Sequence, residues 1–301
     1  MWKTFRGKNL KIATRSSKLA LAQVQIFKDA LNNQKLDFEI KTQITEGDRK
    51  SAEGKNLFDK AHFVEDIEDS LLSKEADIAV HSLKDMASTD RDGLEIFAAI
   101  PHPSRGDVLI YKDSSAIKDL TNLHIGTSSL RRKRQCKFFL NNKNCSEIRG
   151  NVDTRLEKLH QDKYDAIILA KAGIERLDIQ ENYIDLDFLP AIGQGIIAIQ
   201  CRTDDFETKN KLTGIRDEQL MKVIELERYV VRELGATCSS ALSIQANVTN
   251  EDFNIDLEIY GRDSLINKTV TGKYENHRAT INEFINEIIV ERGLELLNEN
   301  N

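Results

Sequence analysis

Proline is nearly missing from this chain. Only Pro101, Pro103 and Pro190 occur in 301 residues, so few segments are barred from regular structure by a fixed backbone ring. No apolar run approaches the roughly 20 residues a membrane-spanning helix needs, so no membrane partner is expected. Met1-Trp2-Lys3-Thr4-Phe5-Arg6 is not followed by an apolar stretch, so it does not read as a secretory signal and a cytoplasmic location is expected. Cys136, Cys145, Cys201 and Cys238 form no CxxC pair and no metal-ligand spacing, and the six histidines form no HExxH motif. These absences argue against a metal site, and in a reducing compartment they leave the cysteines as free thiols. An excess of positive charge is also lacking: 43 Lys and Arg face 49 Asp and Glu, a net charge of -6. Binding of nucleic acid over the whole surface is therefore not expected. The short basic run Arg131-Arg132-Lys133-Arg134 carries no interleaved aromatics, so no nucleic-acid partner is read from it either.

What is present suits a globular protein, with 40% hydrophobic and 31% charged residues. Strand-like runs alternate with helical ones. Leu10 to Ala13 reads as a strand, Lys18 to Leu31 as a helix, and Phe38 to Ile44 as a strand. Phe63 to Leu72 reads as a helix, and Ala76 to His81 and Leu94 to Ala99 as strands. The pattern restarts after Pro101 and Pro103, which we read as a crossing between units. Strands are expected at Asp107 to Tyr111, around Ile125, at Ser146 to Ile148 and at Ala166 to Ala170. Helices are expected after Arg131, over Arg134 to Leu140, and over Thr154 to Leu159. Ile196 to Gln200 reads as a strand returning to the first unit. The remainder reads as a helix from Asp217 to Leu234, three strands between Ala241 and Gly272, and one final helix from Ala279 to Leu297. The fold class is therefore α/β, with two α/β domains and a smaller C-terminal α+β domain. The expected boundaries are 1–100 with 196–216 returning to it, 104–195, and 217–301.

The segment Gly126-Thr127-Ser128-Ser129-Leu130-Arg131-Arg132 is the most informative in the chain. A turn of small residues between strand and helix offers backbone N–H groups and hydroxyls to an anion. Two arginines on the first helical turn add forked positive charge. Arg15, Arg149, Arg155 and Arg176 sit mostly just past strand ends, the edge where open α/β sheets bind ligands. Any one of them alone reads as a solvated surface charge, but together they imply a ligand with several carboxylates or phosphates. Lys84-Asp85 follows the strand ending at His81, and two readings stand: a surface ion pair, or a carboxylate aimed into a cleft. Cys238 lies in the small-residue loop Gly235-Ala236-Thr237-Cys238-Ser239-Ser240, which gives it room for a bulky adduct; a buried, inert thiol is the alternative. Gly193-Gln194-Gly195-Ile196-Ile197-Ala198 imitates a dinucleotide fingerprint, but it does not open the first βαβ unit and Pro190 precedes it, so dinucleotide binding is rejected.

Taken together, Ile12 to Ala20, Thr45-Glu46-Gly47-Asp48, Asp77 to Asp85, Gly126 to Arg132, Arg149 to Arg155 and Pro190 to Gly195 resemble the porphobilinogen deaminase (hydroxymethylbilane synthase) family, in the family's order. The resemblance implies two domains like those of periplasmic binding proteins, with the active site in the cleft, plus a smaller α+β domain. It implies a transferase of porphyrin and heme biosynthesis, acting as a monomer. Its substrate is porphobilinogen, four molecules of which become a linear tetrapyrrole with loss of ammonia at each condensation. The implied cofactor is dipyrromethane, joined by a thioether to Cys238. Arg15, Arg131, Arg132, Arg149, Arg155 and Arg176 would bind pyrrole carboxylates. Ser17, Lys60, Lys84, Thr127, Ser128, Ser129 and Gly150 would contact cofactor or substrate. Asp85 would be the carboxylate facing the pyrrole nitrogens, stabilising the cation left when ammonia departs. Three departures stand out: Ala241 where the family commonly has proline, Asn56 to Phe63 without the usual glycine-rich lid, and Gln200 in place of the common acidic residue. An arginine-lined cleft of this fold would also suit a non-catalytic anion-binding protein, but such a protein has no need of Asp85 or an accessible Cys238.

Overall fold

The computed structural model describes residues 9–31, 36–43, 64–114, 116–237 and 240–299. Cys238, Lys60, the Thr45 to Asp48 motif and the segment 56–63 lie outside the described residues. The elements of the first unit are β1 (Leu10–Arg15), α1 (Lys18–Ala30), β2 (Phe38–Gln43), α2 (Glu65–Leu72), β3 (Ile78–Ser82), a 3₁₀ turn (Leu83–Asp85) and β4 (Leu94–Ile100). There follow β5 (Asp107–Tyr111), β6 (Ile125–Gly126), α3 (Leu130–Phe139), β7 (Cys145–Ser146), α4 (Val152–His160), β8 (Ala166–Ala170), α5 (Lys171–Arg176) and β9 (Tyr183–Leu186). The chain continues with β10 (Ile197–Arg202), α6 (Phe206–Leu212), α7 (Glu218–Glu233), β11 (Leu242–Thr249), β12 (Asp252–Tyr260), β13 (Leu265–Lys273), α8 (His277–Val290) and α9 (Gly293–Asn298).

Three sheets result. The first has the order β2-β1-β3-β10-β4 and the second β7-β6-β8-β5-β9. In each, three neighbouring strands run parallel and the fourth position holds a strand antiparallel to both of its neighbours. The chain leaves the first sheet through the Pro101–Pro103 segment and returns through the Pro190 segment to place β10 between β3 and β4. All three prolines thus lie on the crossings, where no ladder hydrogen bond is lost to them. The third sheet, β11-β12-β13, is an antiparallel meander packed against α7 and α8.

The central strands are apolar on both faces because helices cover both. β8, Ala-Ile-Ile-Leu-Ala, is buried at every position, as a strand inside an α/β sheet must be. α1 is set by Ser17, whose hydroxyl accepts from the Ala20 N–H at 3.3 Å, and it turns Ala20, Val24 and Phe27 to the core. α3 breaks this rule. Its buried residues are Arg131, Arg132, Gln135 and Cys136, so what it packs into the protein is mostly polar. The expected single C-terminal helix is two, because Arg292 adopts a left-handed φ of 67° between α8 and α9. β9 and α6 were not expected, and the strand read at Ser146 to Ile148 is only the two residues of β7.

Candidate active site

β1 and β3 are parallel neighbours, so their carboxyl ends emerge side by side. Arg15 closes β1 and is half-buried, with Ser17 capping α1 two residues on. β3 ends at Ser82, whose hydroxyl accepts from Gln23 Nε2 at 2.7 Å. The 3₁₀ turn then presents Lys84 and Asp85, both half-buried, above a buried Leu83. Leu83 is pressed from the other side by Gly193, where the φ is +61° and a Cβ would lie 2.5 Å from Leu83 Cγ. The Gly193-Gln194-Gly195 segment therefore serves close packing of the return crossing under the Asp85 turn.

The second sheet supplies the other wall. Thr127 Oγ1 accepts from the Ser129 N–H at 3.2 Å, and Ser129 Oγ accepts from the Arg132 N–H at 3.4 Å, so both hydroxyls build the N-terminus of α3. Ser128 donates to the Ile148 carbonyl. Arg131 and Arg132 turn inward and are 3% and 7% exposed. They share Asp107: Arg131 reaches one carboxylate oxygen at 2.7 Å and Arg132 the other at 2.6 Å. Gln194 Nε2 adds a third donor at 2.9 Å. Burial alone would raise the pKa of Asp107, but the two guanidiniums overcome it and hold the carboxyl well below the ordinary range.

Arg149 pairs with Glu147 at 2.6 Å, and its carbonyl accepts from Lys158 at 2.9 Å. Arg155 donates from Nε to the Gly150 carbonyl at 2.8 Å. Gly150 has a φ of +110°, and a Cβ there would lie 2.8 Å from the Thr154 side chain, so this loop tolerates no larger residue without rearrangement. Arg176, at the end of α5, donates to the Gly195 carbonyl at 2.8 Å.

Arg155 links the two walls. Burial pulls the Arg155 pKa down to about 10, with Arg132 and Arg149 pushing the same way and Asp85 opposing them. Asp85, from the first sheet, is thus within electrostatic reach of an arginine cluster on the second. Burial pulls Arg176 down to about 10 as well. Among the described residues, the buried Nε groups of Arg131, Arg132 and Arg176 find no hydrogen-bond partner. Unmatched buried donors are costly, and an anion with several acceptor oxygens would satisfy them. A polycarboxylate such as dipyrromethane fits this donor set.

Some residues of the site give no sign in the sequence. Asp107 reads only as the start of an apolar strand, yet it holds two of the arginines. Glu227, buried on α7, accepts from Arg105 at 2.6 and 2.8 Å and from the backbone N–H groups of Gly193 and Ala246, both at 2.9 Å. That carboxylate ties both crossings to α7 and β11. Nothing in local spacing marks either residue, since their partners stand far away along the chain.

A family model described as porphobilinogen deaminase, dipyromethane cofactor binding domain, matches residues 10–210. The porphobilinogen deaminase of Coxiella burnetii (strain RSA 331 / Henzerling II) is 36% identical over 309 residues, covering 98% of each chain. That of Staphylococcus aureus (strain bovine RF122 / ET3-1) is 38% identical over 253 residues, covering 81% of this chain and 82% of its own. Among solved structures, the second substrate binding domain of a putative amino acid ABC transporter from Streptococcus pneumoniae aligns with a TM-score of 0.43 and 13% identity, over 76% of this chain and 95% of that one. With a match over two thirds of its length and relatives aligned nearly end to end, this chain belongs to the porphobilinogen deaminase family.

Proposed function

We propose that Asp85 is the catalytic carboxylate of this hydroxymethylbilane synthase and that Cys238 is the point of cofactor attachment. The enzyme is a transferase of tetrapyrrole biosynthesis that condenses four porphobilinogen molecules into a linear tetrapyrrole, releasing ammonia at each step. The dipyrromethane cofactor, when bound, supplies the pyrrole carbon from which the chain is extended. Each pyrrole ring carries acetate and propionate groups, so the growing product is a polyanion. Arg15, Arg131, Arg132, Arg149, Arg155 and Arg176 bind those carboxylates, with hydrogen bonds from Ser17, Lys60, Lys84, Thr127, Ser128, Ser129 and the Gly150 backbone. Departure of ammonia leaves positive charge on the substrate ring. A carboxylate held about 4 Å from that charge stabilises it by on the order of 4 kcal/mol at an effective dielectric near 20. That is roughly a thousandfold in rate.

The observation that carries this reading is the convergence at Arg155. Arg132 and Arg149, and Asp85 from the other sheet, each act electrostatically on the half-buried Arg155. Arg132 and Arg149 keep Asp107 and Glu147 as partners, and Arg155 adds a further half-buried cation that favours an anionic ligand, with Asp85 opposite it to meet the positive ring. The sheet orders support domains of 1–100 with 196–216 returning, 104–195, and 217–301. We further propose that the enzyme works as a cytoplasmic monomer.

Intact-protein mass before and after incubation with porphobilinogen tests the proposal. The protein from cells able to make porphobilinogen should carry an adduct of two pyrrole units on Cys238, and stepwise additions should follow incubation. A bare polypeptide that gains no mass would refute the assignment of Cys238.

A further inference from the structure

A buried polar chain runs behind Asp85. His81 on β3, Gln200 on the neighbouring β10 and Glu68 on α2 are 5%, 0% and 9% exposed. His81 Nε2 and Gln200 Oε1 are 3.2 Å apart, and Gln200 Nε2 donates to Glu68 Oε1 at 2.8 Å. An amide has one donor end and one acceptor end. The Glu68 carboxylate only accepts, so the amide nitrogen of Gln200 faces it and the amide oxygen faces His81. That oxygen accepts in turn, so the hydrogen of the imidazole sits on Nε2 and Nδ1 is bare. The ring is fixed in one neutral tautomer, and the amide offers no negative charge to balance a second proton.

The charges around the chain agree with this. Burial holds the His81 pKa down to about 4, against the Gln200 hydrogen bond and Asp85, which raise it, while Arg15 lowers it further. Burial raises the Glu68 pKa; the Gln200 hydrogen bond and Arg91 oppose it, and Asp90 and Glu65 add to it. An imidazolium at position 81 would pair with Asp85 and cancel part of the charge Asp85 offers to the substrate.

We propose that Glu68 and Gln200 are positioning residues for the reaction, which keep His81 as the neutral Nε2–H tautomer so that Asp85 meets the substrate with its negative charge uncompensated from behind. The functional half of this rests on Asp85 as the catalytic carboxylate; the tautomer lock does not. Glutamate at position 200, the acidic type common in the family, would supply the missing charge and favour the imidazolium, so the neutral ring is a property of this chain rather than a requirement of the reaction.

Ring ¹⁵N–¹H correlation spectra of the full-length holoenzyme test the lock, with His81 assigned by comparison with His81→Gln. At pH 7 one ring nitrogen should be bare and Nε2 protonated, unchanged to about pH 5. An imidazolium at pH 7, or hydrogen on Nδ1, would overturn the proposal. In Gln200→Glu, His81 should be an imidazolium at pH 7, and the acid limb of the kcat profile should follow its pKa up by about three pH units. The KM for porphobilinogen and the cofactor mass should stay unchanged. A Gln200→Glu enzyme with neutral His81 and an unmoved profile would sink it. Should that variant not fold, Glu68→Gln asks the same question: without a fixed acceptor, both tautomers of His81 should appear, and survival of the single Nε2–H form would count against the lock. Asp85→Asn separates the two ideas. Its His81 spectrum should stay as in the parent; normal turnover there would overturn the functional half while leaving the lock standing.

Discussion

The two five-stranded sheets share one strand order but not one chemistry. At the strand ends of the first stand Arg15, Ser17, Lys84 and Asp85, with His81 buried behind them. At those of the second stand Arg131, Arg132, Arg149 and Arg155, two of them held inside by Asp107. On the function proposed above, one wall would carry the carboxylate that faces a transient cation, and the other the cations that face a polyanion. A repeated topology fixes where the strand ends lie, and the residues placed there decide what each wall does.

The comparison predicts unequal effects of mutation on the two walls. On the first, Asp85→Asn should lose at least about two orders of magnitude in turnover while melting like the parent, because the amide keeps the shape and loses the charge. Turnover within a few-fold of the parent would remove Asp85 from the chemistry. On the second, Asp107→Asn should act on folding first. It strands two buried guanidiniums, a loss of about 3–5 kcal/mol read by denaturant unfolding. If stability hardly changed, Asp107 would not be what holds the arginines.

A pH titration sharpens the contrast. His81 is depressed to about 4, against roughly 6.5 when unfolded. Between those values the unfolded chain binds a proton that the native chain does not, so stability falls as pH drops from about 6.5 to 4, by roughly 2–3 kcal/mol. The His81→Gln variant should show a flatter curve over that window when both are melted at each pH. Asp107, depressed in the fold, loses its contribution only below its unfolded value of about 4, under this window. The smallest expected effect is at the cluster's half-buried edge. Arg149→Lys keeps the charge but not the fork, and cofactor occupancy measured by intact mass should fall several-fold. Full occupancy in that variant would show that a point charge suffices.

Much of the fold was legible along the chain. β3 and β8 read as continuous apolar runs because both faces are covered, and α1 showed its period, while its Ser17 cap emerged only in the structure. The turn before α3 was legible for the same local reason, since Ser129 caps a helix whose first turn is Leu130-Arg131-Arg132. The elements missed were those with weak local signals. β9 is four residues long and half-exposed, α6 has one buried leucine and an exposed Phe206, and the break at Arg292 comes from a left-handed residue no pattern announces. The expectation that Arg131 and Arg132 grip an anion could not include Asp107, which lies 24 residues away and meets them only in the folded chain.

The order of apolar and polar residues by itself determined an alternating α/β chain, the strand-to-helix turns rich in hydroxyls and arginines, and the motifs that place it in its family. Local rules suffice for these, because caps, periods and turns depend on neighbours a few residues apart. Only the tertiary structure decided that β10 returns between β3 and β4, that Asp107 joins Arg131 to Arg132, and that Gln200 joins His81 to Glu68. Those pairings span tens to more than a hundred residues. Their energies depend on burial and distance, which exist only once the chain has closed on itself.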